Sequence, residues 1–352
     1  MEIVATILPM LVLGLLFTLA HVADRQTDTG LRIVVVVLLA LLDLFALLVG
    51  GLLLAAGLAS ALIGAEITGG EVELPESALE ADQMAPLLDA MVALGPIMIG
   101  LAVLALLVLV PPVRKILASL IPIDPARATH TVALQCALLA FGMSAATALL
   151  LPAIPLETIA AGVAAGGLVP LWAQNIGMVL LALLGVGLGV RGGGVLERLG
   201  LTARFDWRWW LGATLAALAS AVATDWLWGI VSPESLAEVD RISEALFGSF
   251  VQYGLLGALT IGLAAGIGEE ILFRGAAQPR LGLPLTALLF SAIHTQYTVS
   301  PALIHIFVIG MLLGLVRKRV NTTTAIAVHA SYNFLLALSS VLEAGVPLLP
   351  GG

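Results

Sequence analysis

The stretch that decides the fold is residues 33–59, which read IVVVVLLALLDLFALLVGGLLLAAGLA. Asp43 is the only charged side chain in this run. A helix that crosses the hydrocarbon core of a bilayer needs about 20 mainly apolar residues. The run exceeds that length, and it is continuous, whereas the strands of a transmembrane barrel alternate between apolar and polar residues. The stretch therefore predicts a membrane-spanning α-helix.

The composition of the whole chain agrees with this prediction. Of the 352 residues, 60% are hydrophobic and 11% are charged, whereas about 25% are charged in an ordinary soluble domain. This excludes a soluble enzyme, a secreted disulfide scaffold and a disordered chain. The single cysteine, Cys136, allows no intramolecular disulfide and no cysteine metal cage. No basic patch is present beyond short loops, so we expect no nucleic-acid partner.

Nine further apolar runs resemble residues 33–59, and we expect an all-α, polytopic transmembrane helical bundle of about ten spans. The ten predicted spans are approximately 3–21, 33–59, 90–112, 131–151, 173–190, 209–231, 249–268, 283–299, 301–316 and 323–343.

The positions of the basic residues predict the orientation of this bundle. Lysine and arginine collect in cytoplasmic loops. An extracytoplasmic N-terminus places all of the 15 basic residues except Arg241 in such loops. We therefore expect both termini on the extracytoplasmic side of a multi-pass protein of the cell membrane. The lysine-poor composition, rich in alanine, leucine and glycine, favours a bacterial source.

The chain divides into two predicted parts by the position of its polar residues. Residues 1–200 carry five spans with few polar residues inside them, which indicates an accessory five-helix module. Residues 205–343 carry five spans, and the last four contain nearly all the groups that could perform chemistry. Ionisable side chains inside a membrane are costly, and they are functional candidates for that reason.

Three polar elements lie on separate predicted helices of the second part. Residues 268–275 read GEEILFRG, residues 290–294 read FSAIH, and residues 329–333 read HASYN. Taken alone, each has a structural explanation as a helix-end ion pair, a core histidine or a polar contact between helices. Their combination favours a functional site in the cytoplasmic half of the membrane.

The spacing within the first and third elements indicates separate roles for their side chains. Glu270 and Arg274 lie one helical turn apart and can pair. Glu269 points about 100° away from Glu270, so it remains free to act as a general base. His329 and Asn333 also lie one turn apart, and both could donate hydrogen bonds to one developing oxyanion.

The three elements together resemble the CPBP family of intramembrane proteases, which includes the CAAX prenyl endopeptidases and bacterial Abi proteins. That family carries Glu-Glu-x-x-x-Arg, Phe-x-x-x-His and His-x-x-x-Asn or Asp on successive helices. Every signature position matches here, in order: Glu269, Glu270 and Arg274, then Phe290 and His294, then His329 and Asn333. The resemblance covers roughly residues 205–343 and says nothing about residues 1–200.

The resemblance implies an endopeptidase. Glu269 and His294 would orient and deprotonate a water, His329 and Asn333 would stabilise the oxyanion, and Glu270 with Arg274 would hold the first helix in place. The substrate would be a membrane-associated protein or peptide, with a lipidated tail or a C-terminal sorting segment among the options. No cofactor is expected. Zinc held by the histidines and a glutamate is the less favoured alternative.

Two other functions remain open on the sequence alone. The same polar groups could relay protons or ions in a transporter, although no pair of broken helices is evident in the sequence. They could also belong to a non-catalytic immunity or assembly partner.

Overall fold

The computed structural model describes residues 2–68, 81–190, 194–297 and 300–348. These residues contain helices and connecting loops and no strand, which confirms the all-α class. The helices are α1 (Glu2–Gln26), α2 (Thr29–Thr68), α3 (Ala81–Val108), α4 (Pro111–Leu117), α5 (Ala128–Leu150), α6 (Leu156–Gly166), α7 (Val169–Gly185), α8 (Val195–Arg198), α9 (Trp207–Val231), α10 (Pro233–Val251), α11 (Gly254–Glu270), a π-helix (Ile271–Ala277), α12 (Gln278–Leu281), α13 (Leu283–Ala292), α14 (Pro301–Arg319) and α15 (Thr322–Glu343). Short 3-10 turns lie at Leu151–Ala153 and Thr295–Tyr297.

Fewer helices can cross a membrane than the ten predicted. Among the described residues, eight are long and apolar enough: α1, α2, α3, α5, α9, α11 with its continuation, α14 and α15. Helices α6 and α7 are bent by 79° at their junction and make a ninth span if they are counted together. A polytopic membrane bundle is therefore confirmed, whereas the count of ten is not.

The predicted eighth span, 283–299, forms a half-span instead. Helix α13 has ten residues, which gives a length of about 15 Å against a hydrocarbon core of about 30 Å. Gly282, with φ +79°, and Pro284 begin the helix, and it ends at Ala292. Helix α13 packs against α14, and His294 lies in the segment between the two helices.

Several helix ends are joined by hydrogen bonds at one end of the bundle. The Asp24 carboxylate on α1 accepts from the backbone N–H groups of Ala128 and Thr129 at 2.9 and 3.1 Å, so it caps the start of α5. The His21 ring donates to the carbonyl of Gly185 at the end of α7 through Nε2 at 2.9 Å. We call this the basic end, because the last turn of α14 there contributes Arg317, Lys318 and Arg319. The side of the membrane that it faces stays a prediction.

The two predicted parts of the chain are packed directly on each other. Helix α7 lies against α11 and the π-helix. A Cβ added at Gly268 would clash with the side chain of Asn175 on α7 and would stand 2.8 Å from its Cα. Residue 268 must therefore be glycine for α7 to approach so closely. The division at residue 200 stays a prediction, but residues 1–200 form one wall around the helix that carries Glu269.

Glycines also set the distance between α11 and α15. A Cβ at Gly262 would stand 2.6 Å from the carbonyl oxygen of Ala330, and one at Gly266 would stand 2.9 Å from the Ala330 nitrogen. Small residues one turn apart let two membrane helices approach until their backbones touch. This contact places the C-terminal end of α11 next to the turn of α15 that carries His329.

The contact at Gly266 can be tested by adding a side chain. We expect Gly266→Val to lower the stability of the purified protein by about 1–3 kcal/mol, because the new methyl groups would overpack the α11–α15 contact. Thermal unfolding in detergent measures this. Gly212→Val on α9 is the matched control, because a Cβ there meets no atom within 4 Å. Equal melting temperatures of the two variants would contradict the proposed contact.

Candidate active site

The first polar element lies where α11 changes into the π-helix. Helix α11 ends at Glu270, and the π-helix follows over Ile271–Ala277. Such wider turns are rare and occur frequently at functional sites. Arg274 on the π-helix pairs with Glu270, with 3.2 Å between Nε and Oε2, and both side chains are at most 1% exposed. The pair predicted from the sequence is therefore present.

Glu270 also binds the third polar element. Its Oε1 lies 2.9 Å from Nδ1 of His329 on α15. One buried carboxylate therefore joins the π-helix to α15 and offsets the charge of Arg274. A buried charge is tolerated only when it is paired and hydrogen-bonded in this way.

His329 and Asn333 hydrogen-bond to each other. The Asn333 amide nitrogen Nδ2 lies 3.2 Å from Nε2 of His329. Because an amide N–H donates, Nε2 accepts, and the proton of the neutral ring is on Nδ1, where it faces Glu270. In this arrangement His329 does not donate toward a further oxygen, so a shared role at an oxyanion stays a prediction.

The Phe290 ring lies against the side chains of Arg274, His294 and His329. The Arg274 guanidinium carbon lies 4.3 Å from the centroid of the Phe290 ring, within cation–π range. The same ring lies 5.0 Å from the His294 ring and 5.8 Å from the His329 ring. Phe290 is not among the predicted site residues. Its signal in the sequence is its spacing of four residues before His294, and the two rings are in contact.

The second polar element presents one ring nitrogen with an available lone pair. His294 is half-buried just after α13, and its Nδ1 lies 2.7 Å from the carbonyl oxygen of Phe290. A carbonyl can only accept, so Nδ1 carries the proton and Nε2 has a lone pair. A histidine fixed in this tautomer can accept a proton from a water or hold that water in place.

Glu269 differs from its neighbour Glu270. Its side chain is buried, with 8% exposed. Within the described residues, no group donates a hydrogen bond to Oε2 of Glu269. A buried carboxylate oxygen without a partner costs folding free energy, and such groups often have a functional explanation. The two adjacent carboxylates therefore have separate surroundings, as their angular separation predicts.

Two other intramembrane polar residues have structural roles. His305 on α14 hydrogen-bonds Thr224 at 3.2 Å and the Tyr332 hydroxyl at 3.1 Å, so it joins α9, α14 and α15. Asp43 accepts a hydrogen bond of 3.0 Å from Gln135 on α5. Both are polar contacts between helices of the kind that packs membrane bundles.

The arrangement offers few donors for a metal ion. Across the described residues, no group of three or more His, Cys, Asp or Glu side chains is placed to hold a metal. Glu270 and His329 use their polar atoms on each other and on Arg274 and Asn333. The zinc alternative therefore does not fit these residues as arranged, and the absence of a cofactor stays a prediction.

The part of the chain that contains this cluster matches a known protein family. Residues 250–335 match the family model described as type II CAAX prenyl endopeptidase Rce1-like. This segment resembles the CPBP proteases. The match contains all six predicted site residues, from Glu269 to Asn333, and it confirms the resemblance inferred from the three motifs. No curated protein and no solved structure matches the chain.

Replacing a glutamate by glutamine should destabilise the protein more when the glutamate is buried and paired, as Glu270 is, than when it is exposed. We expect Glu270→Gln to lower the free energy of unfolding by about 3–5 kcal/mol, because it leaves Arg274 as an uncompensated buried charge. Glu238→Gln is the control: Glu238 pairs with Arg241 at the surface, where such pairs contribute about 0–1 kcal/mol. Thermal and denaturant unfolding in detergent measure both. A loss for Glu270→Gln no larger than for Glu238→Gln would contradict the assigned role.

Proposed function

We propose that this protein is an intramembrane endopeptidase that hydrolyses a peptide bond near the membrane in a protein or peptide substrate. The observation that supports this most is the division between two adjacent carboxylates. Glu270 forms an ion pair with Arg274 and a hydrogen bond with His329, whereas the buried Oε2 of Glu269 has no hydrogen-bond partner among the described residues. Both glutamates lie in residues 250–335, the segment that is similar to CAAX endopeptidases.

Glu269 and His294 would activate the attacking water. The Glu269 carboxylate removes a proton from the water, and the lone pair on Nε2 of His294 accepts its second hydrogen as a hydrogen bond. The water oxygen then forms a bond to the peptide carbonyl carbon, and the carbonyl electron pair moves to its oxygen. On collapse the C–N bond breaks, and the proton held by Glu269 passes to the leaving amine.

Asn333 and His329 would stabilise the oxyanion. The Asn333 amide has two N–H groups, and one of them is directed to His329, so the second is available to an oxyanion. His329 would act through Asn333, because its Nε2 accepts the hydrogen bond of the first N–H and so orients the amide. The Glu270 carboxylate, 2.9 Å from Nδ1, would hold the His329 ring in this orientation, as a buried carboxylate orients the histidine of a catalytic triad.

The bilayer sets the class of substrate. Several helices cross the membrane, so a substrate segment reaches the site from the lipid or from the adjoining interface. A lipidated tail and a C-terminal sorting segment both fit this route. We place the site in the cytoplasmic half of the cell membrane, because it lies toward the basic end of the helices and basic loops face the cytoplasm.

One feature of the fold bears on the transporter alternative. The sequence shows no evident broken helix, but α6 and α7 form a pair bent by 79°. Transporters built from inverted repeats have two broken helices in corresponding positions, and the described part of the chain contains one such pair. The bend therefore does not favour transport over proteolysis.

The proposal predicts a variant that folds and does not cleave. We expect Glu269→Gln to lower the cleavage rate at least about 100-fold, the usual scale for loss of a general base, without loss of stability, because its Oε2 holds no intramolecular hydrogen bond. His294→Ala would lower the rate similarly. Terminal proteomics compares cells expressing the wild type with cells expressing each variant, and it detects the new protein termini that depend on activity.

The control for this comparison is Glu234→Gln, in the exposed first turn of α10. It should preserve every terminus seen with the wild type. Cleavage retained by Glu269→Gln at the wild-type rate would contradict the proposed role of Glu269.

Metal dependence gives a separate test of the mechanism. We expect the purified, active protein to contain zinc well below one atom per chain and to keep its activity after treatment with a chelator, because the described donors form no metal site. Elemental analysis measures the metal content. Stoichiometric zinc together with inactivation by the chelator would favour the zinc alternative instead.

A further inference from the structure

A cavity of about 300 Å³ lies at the basic end of the bundle, and neither Glu269 nor Glu270 lines it. Its walls come from α5, α7, α8, the π-helix, α12 and α14. Four basic residues line it: His130, Arg198, Arg280 and Arg317. No acidic residue is among the lining residues. The guanidinium groups of three of them carry positive charge, which favours an anion in this space.

Contacts with backbone carbonyls hold two of these guanidinium groups in place. Arg280 donates to the carbonyl oxygens of Ala276 and Gly185 at 2.8 and 3.0 Å, and it is buried. Arg317 donates to the carbonyl oxygen of Arg274 at 3.3 Å. Within the described residues, Arg317 has no carboxylate within ion-pair distance. Arginines fixed in this way are preorganised for an incoming ligand, so little side-chain entropy is lost on binding.

His130 adds a donor without a charge. Its Nδ1 accepts a hydrogen bond of 2.7 Å from the backbone N–H of Asp124. The proton of the neutral ring is therefore on Nε2. The cavity thus combines three arginines with a neutral N–H donor, and this set suits an oxyanion better than a carbonyl or a hydroxyl.

We propose that this cavity binds a phosphate group. Guanidinium groups bind phosphate oxygens in bidentate geometry. The volume is at the lower limit for small-molecule sites, so it admits a headgroup or a small phosphate compound and excludes a whole lipid. Basic pockets between membrane helices on the cytoplasmic side are known to bind acidic headgroups. The phosphate comes either from an acidic phospholipid or from a soluble compound.

The cavity shares a wall with the candidate active site. Gly275 and Ala276 line it, and they belong to the π-helix that carries Arg274. Arg317 contacts the backbone of Arg274 itself. A bound phosphate therefore stabilises the helix ends around the π-helix. Binding at this cavity can be measured whether or not the chain is a protease.

The test uses the full-length protein in phosphatidylcholine nanodiscs. Phosphatidylglycerol is added to the bilayer in one arm, and inorganic pyrophosphate is added to the buffer in the other. Native mass spectrometry and the melting temperature report binding. Binding and a higher melting temperature with phosphatidylglycerol alone support a lipid source, and the same response to pyrophosphate supports a soluble source. No response to either anion would overturn the proposal.

Three variants locate the response. Arg198→Gln, on the exposed rim, and Arg317→Gln should each weaken apparent binding about tenfold, the scale expected for one lost charge-assisted hydrogen bond. Arg319→Gln is the matched control, because Arg319 is exposed on the same turn as Arg317 and does not line the cavity. If Arg317→Gln does not fold, Arg198→Gln carries the test. Equal weakening by Arg319→Gln would show general surface attraction and would overturn the proposal.

Discussion

The site depends on one buried carboxylate with two partners. Glu270 is fully buried and binds Arg274 through one oxygen and His329 through the other. Removing Arg274 would leave the Glu270 charge without its ion-pair partner in an apolar interior, at a cost of several kcal/mol, and removing His329 would leave Oε1 of Glu270 without its donor. The π-helix and α15 are therefore fixed relative to each other by electrostatics, and Phe290 fills the space between Arg274 and the two histidine rings.

The adjacent carboxylate of Glu269 has different surroundings from that of Glu270. The close packing of α11 against α7 and α15 at its glycines holds Glu269 buried without a hydrogen-bond partner for Oε2. Proteins retain such costly groups mainly at functional positions. Residues 1–200 contribute through Asn175, which lies against Gly268. The predicted accessory module therefore forms part of the wall of the site.

The sequence predicts part of this arrangement well, because some contacts are local. The Glu270–Arg274 pair follows from a spacing of four residues, and the membrane bundle follows from apolar run length. The short length of α13 could not be predicted, because the residues that follow its end at Ala292 carry no charge and extend the apolar run. The mutual hydrogen bond of His329 and Asn333 and the central position of Phe290 depend on tertiary contacts that spacing does not encode. The number of spans could not be predicted either, because it depends on where each helix begins and ends, and apolar run length does not fix those positions.

The most direct measurement is a high-resolution experimental structure of the wild-type protein in a lipid environment, with ordered waters resolved. The account predicts one water within hydrogen-bond distance of both the Glu269 carboxylate and Nε2 of His294, while Glu270 keeps its contacts with Arg274 and His329. A Glu269 side chain paired with a basic residue, or a metal ion bound between the histidines, would contradict the central claim that Glu269 activates a water.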